Sequence, residues 1–490
     1  MSEVSQWLNT CTKRHPKCLL SDNTPLPSRV LELDASPDHP QKLRLYRTAP
    51  NEMGRYICLS YCWGPKGSPI QLTKATLLQF QQGIAWETLP LTFQHAVLLT
   101  RQFGARYLWI DSLCIVQDDS EDWSENCPRM AEIYHNAYIT LAASAAPDPQ
   151  AGLYSISDGE WARGKEIFST SGGHPIHVFA RAPMLDMNTR RDREPLFMRA
   201  WAYQERMLSH RILYFTQREI LWECNEQVAC QCLHLQEQMS LKLKFSESAN
   251  PRDLNFCWNE IVSEYSSRQL SYTADRIPAL AGIAKRMHSL RANDVYIAGL
   301  WRSTLCQDLL WYDPRLNVHA RPTWQAPSWS WASVNYAVTF EMNGENIKDY
   351  CLRLSYVTHS CTPLHPTDEG CFGGLQSASL TVKGKLIPII GNPLRNSMYM
   401  GENRLQGYFM IGYDFWSSAG STLEEIPLYI LHVCDKHTGI YKAESYYLCL
   451  RQFDVEAHTY ERVGVFHEWG RSRAYEKLWR TISATTVTMV

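Results

Sequence analysis

The chain has 490 residues, more than one ordinary core organises, so two or three domains are expected. Hydrophobic residues at 45% and charged residues at 20% match a soluble globular protein, and 17 Trp call for aromatic-rich cores or pockets. Lys and Arg at 48 against Asp and Glu at 50 leave a net charge of -2, which gives no global electrostatic footprint for nucleic acid.

No apolar run approaches the roughly 20 residues that span a bilayer. The opening MSEVSQWLNT shows no basic stretch followed by an apolar one, so no signal peptide is expected. The expected compartment is the cytosol, where the 16 Cys should mostly be reduced thiols, many of them buried.

Residues 1–50 read as an N-terminal extension. Arg29–Leu33 and Leu43–Leu45 alternate weakly, as edge strands do, across the loop SPDHPQK. Residues 51–225 read as one α/β unit. YICLSY, from Tyr56, is a short apolar strand stopped by Trp63-Gly64-Pro65. PLTFQHAVLLTRQF, from Pro90, is helical: Phe93, Ala96, Val97, Thr100 and Phe103 share a face, Thr92 can cap its start and Gly104 can end it. YLWIDSLCIV, from Tyr107, supplies a second strand. A second helix is expected over about Ser120–Asn136, with Ser120 as N-cap and Pro128 kinking it. YITLAA, from Tyr138, is the third strand, so the pattern predicts a small parallel or mixed sheet with helices against it.

Residues 147–195 are loop-rich and read as an insertion. Residues 199–208 look helical, and ILYF and ILWE, on either side of TQRE, read as a hairpin. Residues 226–335 are read as a helical region, with helix over 254–291 and extended chain at RPTWQAPSWSWASV. From 336 to 490 strand-like segments dominate, and the overall expectation is α+β.

Several phrases, in order and at consistent spacing, resemble one family. YICLSYCWG, LPLTFQHAVLLTRQFGARYLWIDSLCIVQDD, the DW of SEDW, MAEIYHNAYITLAA and RAWAYQERMLSHRILYF are similar to the fungal heterokaryon-incompatibility (HET) domain. WLNTCTKRHPKC, YSSRQLSYTADRIPALAGIA, APSWSWASV and YERVGVF extend the resemblance over almost the whole chain. The resemblance implies a TIR-like α/β sheet and a role in non-self recognition and programmed cell death. It also implies fungal protein partners and, through the TIR likeness, a nucleotide or NAD as ligand. Relatives in secondary-metabolite clusters imply an alternative, an enzyme acting on a small molecule. The family usually reads D-W-x-x-E-x3-M, and here Asn126 stands in the glutamate position, with Glu125 one helical step, about 100°, away.

The residues themselves leave several readings open. Asp111 follows an apolar strand, where α/β sheets gather ligands, yet an Asp there also caps the next turn. Cys114 suits a nucleophile only if a histidine such as His95 lies beside it; a buried structural thiol is the preferred reading. Ser60, Tyr61, Trp63, Gly64, Ser112, Gln117, Trp123, Asn126, Arg199 and Gln204 complete the expected pocket lining. Trp63 can equally be a core plug and Gly64 a turn residue. Arg199, Gln204, Glu205, Arg206 and Arg211 form the densest polar cluster. Glu205 can replace the missing carboxylate, although a buried ion-pair network joining helix to hairpin is the plainer reading. Cys11, His15 and Cys18 suit zinc by type, but a structural site needs a fourth ligand, for example from Cys224, Cys230 or Cys232. Without paired CxxC motifs no metal is assigned. The chain has no P-loop, no G-x-G-x-x-G and no G-x-S-x-G elbow.

Overall fold

A computed structural model describes residues 2–21, 23–34, 42–154, 165–171, 174–180, 194–231, 240–247, 250–291, 293–315, 322–344, 349–364, 371–392, 397–400, 403–404, 407–410, 426–437, 443–469 and 481–490. It divides into two compact units, Met1–Glu247 and Ser248–Val490. The sequence reading had placed boundaries near 50, 225 and 335; the division by contacts falls at one place, between 247 and 248.

The first unit is built on eight strands: β1 Arg29–Leu33, β2 Leu43–Arg47, β3 Tyr56–Ser60, β4 Tyr107–Trp109, β5 Ile139–Ala142, β6 Arg211–Phe215, β7 Ile220–Cys224 and β8 Val228–Cys230. Their order in the sheet is β8-β7-β6-β5-β3-β4-β1-β2. The inner four, β6-β5-β3-β4, are parallel, and the outer pairs are antiparallel. Every residue of β3 is buried, as expected of a parallel strand covered on both faces. β1 is not an edge strand: it joins β4 to β2, so the supposed extension completes the sheet.

Among the described residues eight α-helices accompany these strands: α1 Ser2–Arg14, α2 Leu77–Gln82, α3 Leu91–Gln102, α4 Asp111–Cys114, α5 Ser120–Asn126, α6 Met130–Asn136, α7 Ala200–Leu208 and α8 Leu241–Glu247. α3 buries Phe93, Ala96, Val97 and Thr100, the face its spacing predicts, in one core cluster with β3, β4 and β5. On the other side Ala202 of α7 packs with Ile212, Tyr214 and Leu221 of the β6–β7 hairpin.

Some local expectations fail. α3 starts after Pro90, and the Thr92 hydroxyl accepts from the Gly152 N–H at 3.0 Å instead of capping the helix. Gly104 does end it, at φ +69. β4 stops at Trp109, because Asp111–Cys114 turns into α4. The cap of α5 is Asp119, not Ser120. Pro128 lies in a 3-10 turn, Cys127–Arg129, that separates α5 from α6. In the loop-rich insertion, Lys165–Ser171 and His174–Ala180 pair as an antiparallel hairpin. Residues 155–164, 172–173 and 181–193 of the insertion lie outside the described residues.

One ion pair ties this topology together. Arg29 of β1 contacts both oxygens of Asp122, at 2.7 and 2.5 Å, and donates to the Cys114 carbonyl at 2.7 Å. Asp122 also accepts from the Val116 N–H at 2.8 Å. The DW aspartate therefore clamps the chain that leaves α4 onto β1, while Trp123 is 40% exposed.

In the second unit, helix Pro251–Ser266 and helix Ala281–Leu290 are separated by 3-10 turns, so the expected run 254–291 is broken. RPTWQAPSWSWASV is not extended where Trp331–Ser333 forms a 3-10 turn. Trp258, Trp301, Trp311, Trp329 and Trp331 are fully buried. Two of them, Trp258 and Trp331, donate to the Gly299 carbonyl at 3.1 and 2.9 Å. Gly299 sits at φ +103, and a Cβ there would meet Trp331 Nε1 at 2.6 Å, so only glycine fits. Beyond these lies an eleven-stranded, largely antiparallel sheet, the mainly β region expected. Cys361 and Cys371 form a disulfide, and thirteen other cysteines among the described residues are free thiols.

Removing the clamp tests its weight. Asp122→Ala leaves a guanidinium that is 14% exposed without its carboxylate. It is expected to cost about 2–3 kcal/mol in urea unfolding of the full chain. Trp123→Ala, on the exposed side of the same helix, should change stability by less than about 0.5 kcal/mol.

Candidate functional site

In parallel sheets a ligand crevice opens where consecutive connections leave on opposite sides. Here the chain passes from β3 to β4 on one side and then to β5 on the other, so the crevice falls at the C-terminal ends of these strands. Ser60 ends β3, with Tyr61 and Trp63 just beyond, and Asp111 follows β4. Trp63 Nε1 donates to Asp111 Oδ2 at 2.8 Å, and the Ser112 N–H donates to Asp111 Oδ1 at 2.7 Å. Tyr61 Oη donates to Ser112 Oγ at 2.8 Å, and Ser68 Oγ donates to the same atom at 3.3 Å. Asp111 thus bonds the first turn of α4 through the Ser112 N–H, and its position at the strand ends leaves the ligand reading open.

Glu205 enters the same place from α7. It is buried and bonded to Ser60 and Tyr134, whose hydroxyl also reaches the Leu59 carbonyl at 3.2 Å. Arg199, just before α7, donates to the Tyr61 carbonyl. Burial pushes the Glu205 carboxyl up from 4.5 to about 7, against the pull of Arg199 and the bonds from Ser60 and Tyr134; the charge of Asp111 pushes it further up. Burial likewise raises Asp111, and Arg199, Trp63 and the Ser112 N–H pull it back. Two buried acids and one guanidinium therefore act on one another at the ends of apolar strands. Such an arrangement can accept hydrogen bonds from hydroxyls, hold an anion, and move one proton near neutral pH.

The polar cluster recognised around α7 splits in two. Glu205 and Arg199 face the crevice. Arg206 turns to the hairpin, where Nε and Nη2 both bond Glu223 at 2.9 Å, and Tyr214 Oη adds a bond to the same carboxylate at 2.5 Å. Despite burial, this pairing lowers Glu223 to about 2. Lys242 of α8 closes the network on the Arg206 and Ser209 carbonyls. The ion-pair reading holds for Arg206 and the site reading suits Glu205. Gln204 is buried beside them.

Other candidates fall elsewhere. Asn126 donates to the Asp122 carbonyl at 2.7 Å and accepts from Ser28 at 3.4 Å, bonds that hold it to its own helix and to the chain before β1. Glu125 and Trp123 are exposed. Cys114 is 1% exposed, with burial raising its thiol to about 12, as befits a structural thiol. His95 does not serve it: its Nδ1 accepts from the Leu153 N–H at 3.1 Å. Gln117 donates to the Asp111 and Ile115 carbonyls at 3.2 and 2.9 Å and so holds the loop after α4. Gly64, at φ +77, lets the Trp63 loop meet Asp148, whose Cβ would lie 2.7 Å from a Cβ added there. Cys11, His15 and Cys18 converge with Cys224, away from the crevice. Tyr134 lies one helical turn after Met130 among the buried residues of α6, a placement that gives no sign in the sequence that its hydroxyl meets Glu205.

The parallel strands with helices against them, and two acids at their C-terminal ends, make this an α/β domain. Residues 56–205 match the family model for heterokaryon incompatibility protein (HET), so this part of the chain is similar to that family. The matched interval runs from the first residue of β3 to Glu205 itself, so it encloses Ser60, Tyr61, Trp63, Asp111, Tyr134 and Arg199. No curated protein and no solved structure matches the chain.

The elevated Glu205 carboxyl makes a pH prediction. In the unfolded chain this group loses its proton near 4.5, and in the folded chain near 7. Between those values the folded state holds more protons, so stability falls as pH rises through the window. Glu205→Gln removes the ionisation, so its stability relative to the parent should rise by on the order of 3 kcal/mol from pH about 4 to about 8. Urea unfolding of both proteins across that range reads the difference.

Proposed function

We propose that this chain is a fungal HET-domain factor in non-self recognition or a related death response. Its crevice would hold a ribose-bearing nucleotide, with NAD the first candidate. The observation that carries the ligand reading is the meeting of Asp111, Glu205 and Arg199 at the ends of β3, β4 and β5. The carboxylates suit ribose hydroxyls, the guanidinium suits a phosphate, and Trp63 offers a ring at the rim. The family supports the biological role, through protein partners in the cell.

A second reading rests on Glu205 alone. A carboxyl that titrates near neutrality suits general acid–base catalysis on a small molecule. In that case the domain serves as a diverged enzyme of secondary metabolism.

Forced expression in a fungal host should arrest growth, and Arg199→Met and Glu205→Gln should relieve the arrest. Healthy transformants with abundant unmutated protein would sink the death-response reading. Adenine-nucleotide affinity, measured by calorimetry on purified protein, should fall about tenfold or more in Arg199→Met. If NAD is cleaved, nicotinamide release should vanish in Glu205→Gln. A rise in Asn126→Glu would instead place the chemistry at the family glutamate position and overturn the assignment to Glu205. Turnover of another small molecule, with gene deletion changing the metabolite profile, would favour the second reading.

A further inference from the structure

We propose that Cys11, His15, Cys18 and Cys224 bind one structural zinc ion that fastens α1 to β7. The four ligand atoms lie within 4.8 Å of one another. Cys224 Sγ is 3.4 Å from His15 Nδ1. A tetrahedral zinc with three sulfurs at about 2.3 Å and one nitrogen at about 2.0 Å needs donor–donor separations of roughly 3.5–3.8 Å. Side-chain rotation closes the remaining gap. The set is Cys3His, one of the closed combinations of structural zinc, and all four cysteine and histidine positions are outside the matched HET interval.

The local chain presents these ligands by ordinary means. Cys11 lies in the last turns of α1, and the His15 N–H still reaches the Cys11 carbonyl at 3.3 Å, one turn on. Pro16–Cys18 is a 3-10 turn that brings Cys18 back beside Cys11. Cys224 ends β7. The loop beyond it is tied to the same turn: the Lys17 N–H donates to Glu226 Oε1 at 2.5 Å, and Asn225 Nδ2 donates to the Lys17 carbonyl at 2.9 Å.

A second observation is Arg211. Its side chain is only 2% exposed, yet no carboxylate bonds it among the described residues. Nε donates to Cys11 Sγ at 3.3 Å, Nη2 to the Cys18 carbonyl at 2.6 Å and Nη1 to the Tyr138 carbonyl at 3.0 Å. A buried guanidinium calls for a counter-charge. Binding releases three thiol protons, and one Zn²⁺ with three thiolates and a neutral imidazole carries a net charge of -1, beside the one positive charge of Arg211. Neutral thiols leave that charge unanswered.

Zinc in the purified full-length chain, read by plasma mass spectrometry, should be about one equivalent. Cobalt substituted for it should show a thiolate-to-cobalt charge-transfer band and the d–d bands of a tetrahedral site. His15→Ala, at a half-exposed position, and Cys224→Ser should each retain zinc against a chelator at least about tenfold less well. Reduced chain that takes up neither metal, or a cobalt spectrum without a thiolate band, overturns the proposal. So does zinc retention unchanged in both variants, or a disulfide among the three cysteines in chain purified with its metal retained. Where Cys224→Ser fails to fold, the cobalt spectrum of the unmutated chain decides.

Discussion

Asp111 and Glu205 reach the same end of the parallel sheet, and Arg199 offsets both. Burying two acids together is unfavourable unless a cation, donors or a proton compensates. All three devices are present: Arg199, the bonds from Trp63 and Ser60, and a Glu205 proton retained to near neutrality. Much of the first unit is arranged so that this corner exists. The strand order places the ends of β3 and β4 side by side, α4 turns Asp111 inward, and α7 returns Glu205 from almost a hundred residues later.

Structural and functional charges are kept apart in the same domain. The Arg29–Asp122 pair clamps a loop, and Arg206–Glu223 joins a helix to a hairpin, each with its partners matched. A matched buried pair holds its charges and lowers the carboxylate, as Glu223 does. At the strand ends burial instead raises both acids, Glu205 to about 7, despite the bonds each receives.

The local half of this arrangement was legible in the sequence. Helical spacing revealed the buried face of α3, and apolar runs around TQRE revealed the β6–β7 hairpin. Asp111 stood out because it interrupts an apolar strand. The non-local half was not legible. β1 resembled an edge strand because weak alternation does not report which neighbours pair with it. Asn126 drew attention as a missing glutamate, whereas its amide is occupied with Ser28 and the Asp122 carbonyl. The ligand types at Cys11, His15 and Cys18 were visible, but Cys224 arrives from the far side of the sheet, and sequence spacing carries no record of that meeting.

The neighbours Glu205 and Arg206 point into different compartments of the same domain. One helical step is about 100°, enough to send one side chain to the crevice and the next to the hairpin. α7 therefore behaves like a screw thread whose phase is fixed at both sides. Insertion or deletion of a single residue between Arg199 and Arg206 would rotate the wrong group into each compartment, placing a guanidinium beside Ser60 and Tyr134 and an acid where Glu223 needs a cation. Eight of its nine residues are buried, so this helix can change neither its side chains nor its length in this stretch without disturbing a packed neighbour.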